Sequence, residues 1–312
     1  MAKPECEHSR HASALANQGQ ALVQEGQHQQ ALERFEAAAE LNRGLGRKAR
    51  QASNLVSASV AHALLGHRER ALRAAHQALA IRRELGHRGH LAKVLGTIGT
   101  HHGFFDDHQR ALDWHTRSYE LWREHGDRSG EARSLHEMAE RQLQLGQAVL
   151  AEALFERALA LHRELEDRPQ EALDLAGLAR VRQKLGDHAA AFALGEQVLI
   201  SLREREDRQG EARALCLLGV CHGKLGRRAK ALTCYDQALE IQQSIGDAEG
   251  EAQTVKSKSM ALLRSGSLNE AAELMERWKT LDAASRPVHQ RIDFSRPGAL
   301  IRLALRNLRE RH

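Results

Sequence analysis

Two stretches of the chain put residues capable of acid–base chemistry close together. "GDRSGEARSLHEMAERQLQLG" runs from Gly126 to Gly146, and "EDRQGEARALCLLGVCHGKLG" from Glu206 to Gly226. Each holds an acid, arginines, a histidine and several glycines. Within the second, "GVCHGKLG" (Gly219–Gly226) approaches the phosphate-binding pattern GxxxxGK followed by Ser or Thr. It is one residue short, and Leu225 stands where the hydroxyl belongs. Cys216 and His222 offer a thiol and a base, but six residues apart on one helix they point in different directions, with no third group to orient the imidazole. The nineteen histidines include "HRGH" (His87, His90) and "HHGFFDDH" (His101, His102, His108). No HExxH occurs and these clusters straddle helix and turn, so no metal centre is expected. Asp106 and Asp107 read as solvated turn charge. No nucleophile, base and oxyanion site converge, so the sequence predicts neither an enzyme nor a cofactor.

The elements that carry these residues recur with a period of forty. With Asp127 as a first position, units begin at Glu7, Arg47, His87, Asp127, Asp167, Asp207 and Asp247. The sixth position is alanine throughout, from Ala12 to Ala252, and the twenty-fifth likewise, from Ala31 to Ala271. The ninth is aliphatic. The thirteenth is always small: Gly19, Ser59, Gly99, Ala139, Ala179, Gly219, Ser259. Spacings of three and four are helical. Each unit therefore reads as two amphipathic helices joined at a Leu-Gly pair, such as Leu145-Gly146, where glycine takes the left-handed cap. The predicted units are 7–46, 47–86, 87–126, 127–166, 167–206, 207–246 and 247–286. A connector and a basic amphipathic helix follow over 287–312, with Leu300, Ile301, Ala304, Leu305 and Leu308 on one face.

This pattern resembles the tetratricopeptide repeat family in its forty-residue form, as in kinesin light chains, Pins-type adaptors and bacterial regulators. Two features depart from it. The proline that closes the second helix is missing, and the aromatic of the first helix is replaced by His62, His102, Gln142, Arg182 and His222. The resemblance implies an all-α, right-handed α-solenoid of about seven helix-turn-helix repeats, a tetratricopeptide superhelix closed by a C-terminal capping helix. First helices would line a concave groove.

The family's geometry turns the seventh, tenth, fourteenth and eighteenth positions of each unit into that groove. In the first three units these include Val60, Leu64, Thr100 and Phe104, a mostly small, apolar or uncharged wall to which Lys93 is the exception. From the fourth unit they become Arg133, His136, Glu140, Arg180, Lys184, Arg213, Lys224, Lys256 and Arg264. The expectation is a groove that is apolar at its N-terminal end and basic at its C-terminal end, suited to an acidic group on a peptide or protein. The asparagines with which Pins-type relatives clamp a peptide backbone are mostly absent, Asn17 alone occupying one of those positions.

Bulk composition fits this picture. Of 312 residues, 42% are hydrophobic, 28% charged and 4% aromatic, and Ala, Leu, Arg and Glu favour helix. The formal charge of +5 is concentrated at one end: six arginines (Arg291, Arg296, Arg302, Arg306, Arg309, Arg311) face only Asp293 and Glu310 after Pro287, which speaks against nucleic acid as a general partner. No apolar run approaches the ~20 residues of a membrane span, and no signal peptide is visible, so cytoplasmic residence is expected. An Arg- and Ala-rich composition suits a bacterial source. The function predicted is a non-enzymatic scaffold or adaptor binding a peptide or protein segment in the groove. The alternatives are a self-assembling structural solenoid, dimerising through repeat ends or the C-terminal helix, and a peptide-sensing regulatory module acting through a separate effector.

Overall fold

The computed structural model describes residues 3–285, with side chains over 7–283. The predicted capping helix within 287–312 lies outside the described residues. Among these residues the chain forms fourteen α-helices and no strand. They are α1 (Lys3–Gln24), α2 (His28–Gly44), α3 (Lys48–Leu64), α4 (Arg68–Leu85), α5 (Arg88–Phe104), α6 (His108–His125) and α7 (Arg128–Gln144). Then come α8 (Ala148–Glu164), α9 (Arg168–Leu185), α10 (His188–Glu204), α11 (Arg208–Lys224), α12 (Arg228–Ile245), α13 (Ala248–Arg264) and α14 (Leu268–Ser285).

The turn chemistry fixes where helices stop and start. Asp127 caps α7 by accepting from Gly130 N at 2.8 Å, and Asp207 does the same for α11 from Gly210 N at 2.8 Å. A carboxylate at this end also meets the positive pole of the helix dipole. The preceding residue closes the previous helix in the left-handed region. Gly126 sits there at φ 76°, but Glu166 (φ 54°) and Glu206 (φ 55°) take the same conformation with a side chain attached.

Packing follows a large-against-small rule within each hairpin. The small thirteenth position receives the ring of the twenty-ninth. A β-carbon on Gly19 would lie 2.7 Å from Phe35, one on Gly99 2.8 Å from His115, and one on Gly219 2.7 Å from Tyr235. The invariant alanines, such as Ala71, Ala111 and Ala151, are fully buried and let helix axes approach. Consecutive hairpins then stack, as where Phe155 and Ala151 of one share a cluster with Leu178 and Val181 of the next.

The curvature has a definite inner side. The backbone of each odd-numbered helix from α3 to α11 comes close to that of the next odd-numbered helix, whereas successive even-numbered helices meet through long side chains, as where Arg157 of α8 donates to the Tyr119 hydroxyl of α6 at 2.8 Å. The first helices therefore occupy the shorter, inner arc of an α-solenoid. None of the described helices is long and apolar enough to cross a membrane.

Candidate functional site

The residues that suggested chemistry are mostly scaffold. Gly219, in the phosphate-loop-like stretch, lies within α11 and makes room for Tyr235. The acid at the fifth position of the unit staples one repeat to the next: Arg163 Nε donates to Glu171 at 2.9 Å, and Arg203 Nε to Glu211 at 2.8 Å. His62, His102 and His222 share one slot and are buried there. Burial lowers all three below the usual histidine value, which keeps the imidazoles neutral. Cys216 is half-buried, and its removal from water raises its thiol despite hydrogen bonds to Thr254 and Ser257, opposing thiolate formation. Among the described residues no group of three or more metal-ligating side chains converges.

The predicted groove residues all lie on first helices, and those of α3 and α5 differ in character from those of α7 to α13. Val60 and Leu64 on α3, and Thr100 and Phe104 on α5, are exposed, Phe104 at 39%. Half-buried Val56 and Gly96 continue this wall. On α7 to α13, Arg133, Lys184, Arg213, Lys224, Lys256 and Arg264 are exposed.

Three of the nine polar groove residues do not stand open as the register implied. His136 Nδ1 lies 2.7 Å from Asp174 Oδ1, and the His136 side chain is only 16% exposed. Glu140, 15% exposed, is gripped by both terminal nitrogens of Arg180. A side chain at the tenth or fourteenth position is long enough to reach the next first helix, and here each finds a partner there. Two of the exposed cations are also engaged. Lys184 Nζ donates to the Leu143 carbonyl at 2.8 Å, in the last turn of α7, and Lys256 Nζ stands 4.8 Å over the Trp278 ring. Among the described residues Arg133, Arg213, Lys224 and Arg264 pair with no acid, so fewer of these cations stand free than the sequence count suggests.

The sequence reading missed the centre of this network. Asp174, fully buried, accepts from His136 with one oxygen and from His162 Nδ1 with the other, at 2.6 Å. Burial opposes a charged His136, but the hydrogen bond and charge of Asp174, helped by Glu140 and Glu137, outweigh it and raise His136 above 6.5. The signal was available: the eighth position is buried in unit after unit (Asn54, Val94, Ser134, Ala214, Thr254), so an aspartate there must find donors. Arg141 was also missed, because it sits at the fifteenth position, between the core and groove registers.

Comparison with known proteins agrees with this architecture. Two family models described as tetratricopeptide repeat match the chain, one over residues 130–204 and 210–278, the other over 12–44. No curated protein matches it in sequence. Among solved structures it is similar to aspartyl phosphate phosphatase F from Bacillus subtilis, with 12% identity, 90% of this chain and 72% of that chain covered, and a TM-score of 0.76. It is similar to a Rap protein complexed with competence and sporulation factor, with 16% identity, 86% and 74% coverage and a TM-score of 0.68. It is likewise similar to the Rap conjugation gene regulator of the plasmid pLS20 in complex with a Phr peptide, with 15% identity, 86% and 74% coverage and a TM-score of 0.66. At such identities the likeness is one of fold. With matched repeats spanning more than half of its length, and hairpins stacked along a continuous inner face, the chain belongs to the tetratricopeptide repeat family.

Proposed function

We propose that this protein is a non-enzymatic binding scaffold whose inner face takes a peptide or protein segment, with acidic groups toward the C-terminal half. The observation that carries the reading is the change of character along one continuous surface. Val60, Leu64 and Phe104 are exposed apolar side chains on α3 and α5, and Arg133, Arg213, Lys224 and Arg264 are unpaired cations on α7, α11 and α13. Apolar surface supplies area-dependent affinity, and a one-signed concave wall steers an anionic partner in and sets its direction. Two of the structurally similar proteins are complexed with a signalling factor or peptide, which supports the same use of this fold. One is named a gene regulator, which favours the regulatory form of the reading, in which occupancy of the groove is passed to a separate effector. At 12% identity the similarity to a phosphatase is one of fold and brings no activity to this chain.

The test is affinity capture from the native cytosol with the wild-type chain and with a variant carrying Lys224→Glu and Arg264→Glu. The reading expects a partner whose retention falls with the reversal and with rising salt. Retention indifferent to both removes the basic face from the function.

A further inference from the structure

Arg141 stands apart from every other cation on the inner face. Its side chain leaves α7 and reaches the preceding first helix, where its guanidinium lies against Gly103 of α5. A β-carbon at residue 103 would collide with Nη1. Glycine near the end of α5 is less favourable to the helix than alanine, and at this position the absent side chain is what admits the guanidinium. The arginine is half-buried and its Nε is fully enclosed with no acceptor. Among the described residues the two terminal nitrogens also meet no acceptor. A half-buried guanidinium whose donors are all unpaired is an unfavourable resting arrangement that an incoming acceptor relieves.

The surroundings define that acceptor. The neighbouring second-helix residue, His115, is buried, and burial followed by the charge of Arg141 pushes it down to about 3, so it contributes no positive charge. Its Nε2 is 3.7 Å from Glu137 Oε2. Glu140 is occupied by Arg180. A site with one guanidinium and two carboxylates at its margins disfavours a dianion such as phosphate and suits a single negative charge. The planar fork of arginine matches a carboxylate in two-pronged geometry. Thr100 and Phe104, on the same helix as Gly103, are exposed beside it, and they continue into the apolar wall of α3.

Resting on the groove reading above, we infer that Arg141, seated in the Gly103 notch, is the anchor for one carboxylate of a bound peptide, with an apolar residue of that peptide lying on the α3–α5 side. The carboxylate is either the peptide's chain terminus or an acidic side chain, and both present the same group to the guanidinium.

The probe is a set of peptides selected from a random display library against the full chain, then synthesised singly. Each is made with its C-terminus amidated and, separately, with its acidic side chains replaced by amides, which separates the two sources of the carboxylate. One of these changes is expected to cost about tenfold in affinity, the size of one charge-assisted contact, and Arg141→Gln should cost the same. The two losses should not add when combined. Gly103→Ala should keep or raise the thermal midpoint while weakening binding, because it favours the helix yet expels the guanidinium; it also guards against misfolding as the cause of lost affinity. Peptides weakened by Lys224→Glu but indifferent to Arg141→Gln and Gly103→Ala overturn the anchor and leave the groove standing. Failure to select any peptide, or peptides indifferent to all of these changes, overturns both.

Discussion

His136 and Asp174 are joined across a repeat boundary by a 2.7 Å hydrogen bond from imidazole to carboxylate, and His162 closes on the other oxygen of the same aspartate. One buried anion thus ties α7, α8 and α9 together. Replacing Asp174 by Asn removes the charge and leaves two enclosed imidazoles short of an acceptor. The expected loss is about 3–5 kcal/mol, as for other broken buried pairs. The pH dependence follows from the raised value of His136. A histidine held above its unfolded value adds stability that is complete below about 6.5 and is lost as pH rises through the higher, folded value. Urea midpoints of wild type and Asp174→Asn should therefore differ more at about pH 6 than at about pH 9. An equal gap at both would show that the pair is not ionised.

His115 behaves in the opposite sense. It fills the space over Gly99 that Phe35 fills over Gly19 and Tyr235 over Gly219. Its Nε2 is buried without a hydrogen-bond partner, and it is pushed down to about 3 by burial first and Arg141 second. A lowered histidine adds nothing above about 6.5 and destabilises as pH falls from there toward its folded value, because the unfolded chain binds the proton first. His115→Phe should stabilise by about 1 kcal/mol at neutral pH, the order of an unmade hydrogen bond. The advantage should widen in acid. Parallel thermal midpoints for the two proteins across the acid limb would refute the assignment. His101, pushed to about 4 by burial and then His102, contributes to the same acid sensitivity.

These two histidines mark the boundary of what is legible in the chain. The forty-residue period, the capping aspartates and the small-against-large slots all follow from local spacing, because each is decided within one hairpin. Ala151 and Phe155 declare their roles by position alone. The Asp174 network and the Arg141–Gly103 contact are different, since each joins residues of successive repeats. The family's geometry implied that Glu140 and Arg180 face the groove, but not that each would find the other. Two long side chains on adjacent first helices can pair or face the groove, and that choice depends on the curvature that brings the helices together.

Glu166 and Glu206 occupy turns where the repeat elsewhere uses glycine, at φ 54° and 55°. A side chain in the left-handed region costs roughly 1–2 kcal/mol, and glycine in an unfolded chain gives back about 0.5–1 kcal/mol of that relief as entropy. Glu166→Gly and Glu206→Gly should each raise stability by about 0.5–1 kcal/mol, and being a repeat apart they should add. Asp106, at φ 62°, should gain less from the same change, because aspartate tolerates this conformation better. Urea denaturation of the single and double variants checks the ranking; a loss in either glutamate variant would mean that its side chain compensates for the strain.

The groove reading separates recognition from folding, and Leu64 and Ile98 put that separation to the test. Ile98 is fully buried on α5, and truncation to Ala should cost about 2–5 kcal/mol from lost contacts and cavity. Leu64, on the neighbouring first helix, is 42% exposed. Leu64→Ser should cost no more than about 1 kcal/mol, mostly helix propensity and a partial loss of burial. Its effect on a selected peptide should be disproportionate, since a ligand that covers Leu64 completes the burial the fold leaves undone. The measurement is a pair of numbers for each variant, urea midpoint and peptide affinity. Ile98→Ala should move the first strongly, and Leu64→Ser the second. If Leu64→Ser unfolds the chain as readily as Ile98→Ala, the apolar wall of α3 is core, and the N-terminal half of the inner face loses its claim to be a recognition surface.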